Sequence, residues 1–186
     1  VVVPQGPQLA SSAIGRALTT AVVVGSTGQA LYKSERDRFP FQSVTLVGAA
    51  EHAAEFASGV EIGEVLGESI NTTRELVNRH PHDLTPQTFV DRTVPLAGAY
   101  GISTEVFDEQ RLRDERMGAL LAVARGSSLP PAVVLYRYQG AGPEAPWVSL
   151  VGKGVTFDSG GLSLNPSDSM KSMKADMAGA ATVVGA

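Results

Sequence analysis

Residues 151–186 read VGKGVTFDSGGLSLNPSDSMKSMKADMAGAATVVGA, and the fold is decided by how this stretch is read. The run before and into it, Trp147 to Val151, is apolar and rich in β-formers, which predicts a strand. The chain then turns into a glycine-rich loop carrying Lys153, Asp158, Gly160 and Gly161. It ends on Met170, Met173, Met177, Ala181 and Val184, spaced by three and four, which predicts a single helix. A strand that feeds a loop of charged and glycine residues and then a helix is where α/β domains place chemistry.

Lys153 directly follows the predicted strand. Asp158 lies in a loop short enough to fold back on it, and Asp176 sits near the start of the predicted helix. One amine and two carboxylates can converge on a divalent cation that accepts nitrogen and oxygen ligands. Lysine ligates only as the neutral amine, so desolvation and an adjacent dication must drive off its proton. The same residues also suit a plainer arrangement, with the lysine in a salt bridge and the aspartates as caps. Spacing alone leaves both open.

VGKGVTFDSGGLSL followed by MKSMKADMAGAA resembles the leucyl aminopeptidase (cytosol aminopeptidase) family of two-metal exopeptidases. The resemblance implies that Lys153 and Asp176 bind one metal, that Asp158 bridges both, and that Met173 lines the pocket for the first side chain of the substrate. It implies release of N-terminal residues from peptide substrates, with two divalent ions, Mn2+ or Zn2+ and also Mg2+, as cofactors. A cytoplasmic homohexamer is implied for the full-length protein.

This chain departs from the family in two places. The family has a catalytic lysine at the position of Asn165, in LSLNP, and its later NTDAEGRL segment, which adds metal ligands and an arginine, is not in this chain. With no initiator methionine either, the sequence is expected to be a piece of a longer protein, inactive by itself. Asn165 also supports a second reading, a catalytically impaired or non-catalytic paralogue with an assembly or binding role. An uncharged amide in place of a charged stabiliser typically costs about 10²–10³ in rate.

Two look-alikes fall away. DSGG at Asp158–Gly161 resembles a serine-protease nucleophile loop, but Phe157 precedes it where glycine would stand, and the surroundings read as α/β. GKG lacks the order of a phosphate-binding P-loop.

Composition narrows the class further. Of 186 residues, 43% are hydrophobic and 18% charged, as in ordinary globular proteins, and the net charge of −4 gives no footprint for nucleic acid. With no cysteine there is neither a disulfide framework nor a thiolate metal site. No apolar run reaches the ~18 residues of a membrane span.

Along the chain, residues 8–25 predict a helix, 26–41 an irregular polar stretch, and 44–47 a short strand closed by Gly48. Residues 51–78 predict a long helix that His80-Pro81-His82 ends, the histidines being read as loop residues. Thr85 and Pro86 predict the start of the next helix, to about Ala99. Thr104–Phe107 predicts a strand, Asp108 a cap for a helix through Met117, and Ala132–Tyr138 another strand. The expected fold class is α/β: a remnant of an N-terminal α/β domain over 1–50, a connecting helix over 51–80, and the first part of a mixed-sheet catalytic domain over 81–186.

Overall fold

The computed structural model describes residues 10–36 and 38–186. The chain divides into two compact units, Val1–Glu75 with Gly185–Ala186, and Leu76–Val184.

The first unit is built on a helix pair. Helix α1 (Ser11–Ser26) carries the expected Ala, Leu and Val run, and residues 8 and 9 of that expectation lie outside the described residues. A 3-10 turn at Ala50–His52 leads into α2 (Ala53–Asn78). Gly59 and Gly63 lie one turn apart and so share a face of α2. A Cβ at Gly59 would stand 2.1 Å from the Ser12 carbonyl oxygen, and one at Gly63 would stand 2.7 Å from that of Arg16. The glycines that weaken α2 by propensity therefore let its backbone touch α1. The last turn of α1 has no basic residue of its own. Its final carbonyls are served from α2 instead: Arg74 Nη1 donates to Val24 O at 3.0 Å and Asn71 Nδ2 to Val23 O at 3.2 Å. The strand expected at 44–47 is reduced to a single bridging residue, Val47. Val44 and Val47 are both exposed, so this short run has no buried face to hold a ladder.

The second unit is mixed α and β. Helix α3 (Pro86–Ala99) begins as the sequence predicts. Thr85 accepts from Thr88 N–H at 3.3 Å, and Thr88 Oγ1 accepts in return from Thr85 N–H at 2.8 Å. Strand β1 (Ser103–Phe107) pairs antiparallel with β2 (Val133–Arg137), Ser103 opposite Arg137 and Phe107 opposite Val133. Between them lie α4 (Glu109–Asp114), capped by Asp108 accepting from Arg111 N–H at 2.8 Å, and α5 (Gly118–Ala124). The single helix expected through Met117 stops at Asp114 because Arg116 adopts a left-handed φ of 58°. Tyr136 of β2 donates to Thr93 of α3, which itself donates to Phe89 O at 2.8 Å, so the strand pair is tied to the helix.

Two further expectations are corrected here. Trp147–Val151 is not a strand; among the described residues the only sheet is the β1–β2 pair. Val148 and Val151 are 85% and 94% exposed, and a β-prone run without a neighbouring strand cannot form a ladder. The helix expected over 170–184 is broken into α6 (Ser167–Met170), a 3-10 turn at Met173–Ala175, and α7 (Ala178–Gly185). The spacing nevertheless identified the inward side. Met177 and Ala181 are fully buried and pack with Leu76 and Leu84, flanked by Val77, Phe89 and Val184.

Gly59→Val is expected to lower stability by about 3 kcal/mol, because the added side chain meets backbone that cannot rotate away. At Gly98 of α3 a Cβ would meet nothing within 4 Å, so Gly98→Ala should raise stability by about 1 kcal/mol. Urea unfolding followed by circular dichroism checks both.

Candidate functional site

The site starts from contact between two backbones. Residues 152–154 run beside the start of α7, where Ala180 N–H donates to Lys153 O at 2.8 Å. A Cβ on Gly152 would lie 2.3 Å from Gly179 O, and one on Gly179 would lie 2.9 Å from Lys153 N. Only glycine at both positions allows this approach. The contact sets Lys153 opposite Asp176, which closes the 3-10 turn two residues before α7.

Lys153 Nζ stands 2.8 Å from Asp176 Oδ2, with the lysine side chain 61% exposed and the aspartate 21%. Oδ2 is buried and takes no aligned hydrogen bond. The ammonium therefore approaches that oxygen off its preferred direction. Asp176 in close contact is the main cause that raises the Lys153 pKa above the ordinary lysine value. Partial desolvation opposes it, and the charges of Asp176 and Asp158 add to the rise.

Asp158 is fixed from both ends. Its Oδ1 accepts from Gly160 N–H at 2.7 Å, while its carbonyl oxygen accepts from Asn165 Nδ2 at 3.0 Å. Asn165 N–H donates to Ser159 O at 2.9 Å and Gly161 N–H to Ser163 O at 3.0 Å, and Gly160 bridges Leu164. Gly160 has φ +91°, and a Cβ there would lie 2.4 Å from Ser163 O. The loop is thus a closed clasp rather than an open excursion.

The structure brings Lys153 and Asp176 into contact and puts the charge of Asp158 where Lys153 feels it. Asn165 turns its amide to the main chain of Asp158. Met173 is half-buried, and its carbonyl accepts from Asp176 N–H at 3.3 Å. His80 Nδ1 accepts from His82 N–H at 3.1 Å, a contact within the turn. Among the described residues, no group of three or more His, Cys, Asp or Glu is gathered as a metal cluster.

Sequence reasoning missed Lys174, whose Nζ donates to Asn78 O at 3.2 Å and so caps the end of α2. The available signal was a helix ending at Asn78 without a cation of its own in the last turn. Gly152 and Gly179 were also missed as a matched pair. Their signal is the small-residue pattern in both segments, which only the tertiary contact explains.

The family model for the cytosol aminopeptidase family, catalytic domain, matches residues 71–186. A "Probable cytosol aminopeptidase" of Rhodopirellula baltica is 48% identical over 91% of this chain and 32% of its own length. Another, from Acidobacterium capsulatum, is 40% identical over 99% of this chain and 37% of its own. The chain thus spans about a third of the length of the curated relatives it matches. Among solved structures, the bottromycin maturation enzyme BotP in complex with Mn aligns with a TM-score of 0.79 and 36% identity, covering 98% of this chain and 37% of that one. Cytosol aminopeptidase from Coxiella burnetii aligns with a TM-score of 0.73 and 27% identity, covering 92% and 35%.

Because the Lys153 pKa is raised on folding, the stabilisation from its pairing is fully present below the ordinary lysine value and is lost as pH rises through the raised one. In the metal-free protein, NMR titration of the Lys153 side chain should therefore give a pKa above that of a free lysine, and Asp176→Asn should bring it down. The stabilities of wild type and Asp176→Asn should draw together as the pH rises through the raised Lys153 pKa and the lysine loses its proton. An unchanged Lys153 titration in the variant would show that Asp176 is not its partner in solution.

Proposed function

The chain belongs to the cytosol aminopeptidase family, and on that premise we propose that the full-length protein is a metal-dependent aminopeptidase that releases N-terminal residues, leucine-type, from peptides. The observation that carries this reading is the Lys153–Asp176 pair inside the family motif, with a buried carboxylate oxygen that no aligned hydrogen bond occupies. A nitrogen and a carboxylate oxygen facing one point suit a borderline dication, so the residues present fit part of a metal site. Asp158, held through its own main chain, would add the next carboxylate.

When bound, two divalent cations, Mn2+, Zn2+ or Mg2+, supply Lewis acidity toward the scissile carbonyl and toward water. Lys153 would hold a cation through its neutral amine, its ammonium proton passing to solvent, and Asp176 and Asp158 would hold the cations through their carboxylates. Asp176 is directed by the 3-10 turn, and the next residue, Met177, is locked in the core, so the carboxylate cannot swing far. Met173, three residues before Asp176, is proposed to face the first side chain of the substrate. Residues 1–50 are proposed as the end of a preceding domain, 51–80 as the connecting helix and 81–186 as the start of the catalytic domain. The family resemblance extends the proposal to a cytoplasmic homohexamer. Among the described residues, no helix is long and apolar enough to cross a membrane.

The test uses the full-length protein and a leucyl chromogenic substrate. EDTA should abolish turnover, and Mn2+ or Zn2+ should restore it. Asp176→Asn and Lys153→Met should each lower kcat/KM by about 10²-fold or more, a loss of several kcal/mol of charge stabilisation. Full activity in EDTA, or in both variants, would overturn the proposal.

A further inference from the structure

Asn165, where the resemblance implies a lysine, turns its amide onto the main chain of its own loop. From this geometry we infer that Asn165 is a positioning residue that closes the 158–165 loop and so presents the Asp158 carboxylate in one orientation. This inference rests on the aminopeptidase reading and deepens it.

The contacts of Asn165 are those of a clasp. Its side-chain Nδ2 donates to the Asp158 carbonyl at 3.0 Å, and its main-chain N–H donates to the Ser159 carbonyl at 2.9 Å. One residue thus takes two successive carbonyls at the far end of the loop. Inside the clasp, Gly160 N–H donates to Asp158 Oδ1 at 2.7 Å, which sets the side chain relative to the main chain that Asn165 has fixed. Gly160 stays at φ +91°, and a Cβ there would lie 2.4 Å from Ser163 O and 2.8 Å from Asn165 N, so no other residue fits this turn.

The surroundings explain why the clasp is needed. Leu162 and Leu164, at the tip, are exposed, so hydrophobic packing does not order this loop. Order must come from hydrogen bonds, and the Asn165 amide is the side-chain donor that spans the loop. A group that orients a metal-ligating carboxylate from outside is typically worth about 10–100-fold in metal affinity. A neutral amide suits this role because it donates without placing a cation beside carboxylates meant for a dication.

Asn165→Asp tests the inference, since it keeps the shape and replaces the donor with an acceptor that repels the Asp158 carbonyl. In the full-length protein three quantities are measured for wild type, Asn165→Asp and Asn165→Lys: amide hydrogen exchange across 158–165, Mn2+ affinity by titration calorimetry, and kcat with KM. Asn165→Asp should speed exchange at Gly160 and Asn165 at least 10-fold and weaken Mn2+ by about 10–100-fold. Exchange in α3 should stay unchanged, which separates loss of the clasp from general unfolding. Asn165→Lys should exchange faster than wild type and gain nothing in kcat.

Faster exchange with unchanged Mn2+ affinity would overturn the positioning role and leave a merely structural turn. Unchanged exchange in Asn165→Asp would overturn the clasp itself. A 10-fold gain in kcat for Asn165→Lys at wild-type exchange rates would overturn the inference in favour of an electrostatic position. A wild-type protein that takes up no Mn2+ would sink the aminopeptidase reading and this role with it. Wild-type uptake with an unaffected variant sinks this role alone.

Discussion

The candidate site depends on one contact between main chains, the approach of residues 152–154 to the start of α7. The Ala180 N–H to Lys153 O bond is short because Gly152 and Gly179 have no side chains between them. Backbone contact is stiffer than side-chain contact, since neither partner has rotamers to exchange. Lys153 thereby inherits its position from the start of α7, and Asp176 inherits its position from the turn just before that helix. The ion pair between them is a result of this arrangement and not its cause. An exposed lysine contributes little through charge to holding two segments together.

The same turn serves two masters. Asp176 faces the lysine while Met177 enters the core against Leu76 and Leu84. A continuous helix over 170–184 would have kept these residues on fixed faces about 100° apart. Breaking it into α6, a 3-10 turn and α7 frees the carboxylate to be set separately from the core side chain. Short 3-10 segments within a helical stretch often mark such functional points. Lys174 holds the turn from the other side through Asn78 O.

Much of this was legible because it is local. The Thr85–Pro86 start of α3, the Asp108 cap of α4 and the extent of α2 follow from capping chemistry and periodicity within a few residues. The motif residues Lys153, Asp158 and Asp176 stand out by their order along the chain, and the structure sets Lys153 Nζ 2.8 Å from Asp176 Oδ2. What failed was non-local. Trp147–Val151 has the composition of a strand, but a strand exists only as one of a pair, and composition does not reveal whether a neighbour is at hand. The break at 171–177 was hidden because apolar spacing reports which side faces inward and is indifferent to whether the backbone stays helical. Asn165 was read for the charge it lacks, while its amide contacts belong to a loop conformation that spacing does not encode.

The bond from Lys174 to Asn78 joins residues 96 apart in sequence, which bears on when the site comes into being during synthesis. At ~5–20 residues per second, roughly 5–20 s separate the emergence of its two ends from the ribosome. Helices α2 and α3 can form from local contacts within that interval, whereas the turn carrying Asp176 has nothing to dock on until its own segment arrives. Closing so long a loop is entropically costly until core contacts reward it. Asp176 therefore reaches its place only as Met177 enters the core, and a nascent chain interrupted before that step presents Lys153 without its counter-charge.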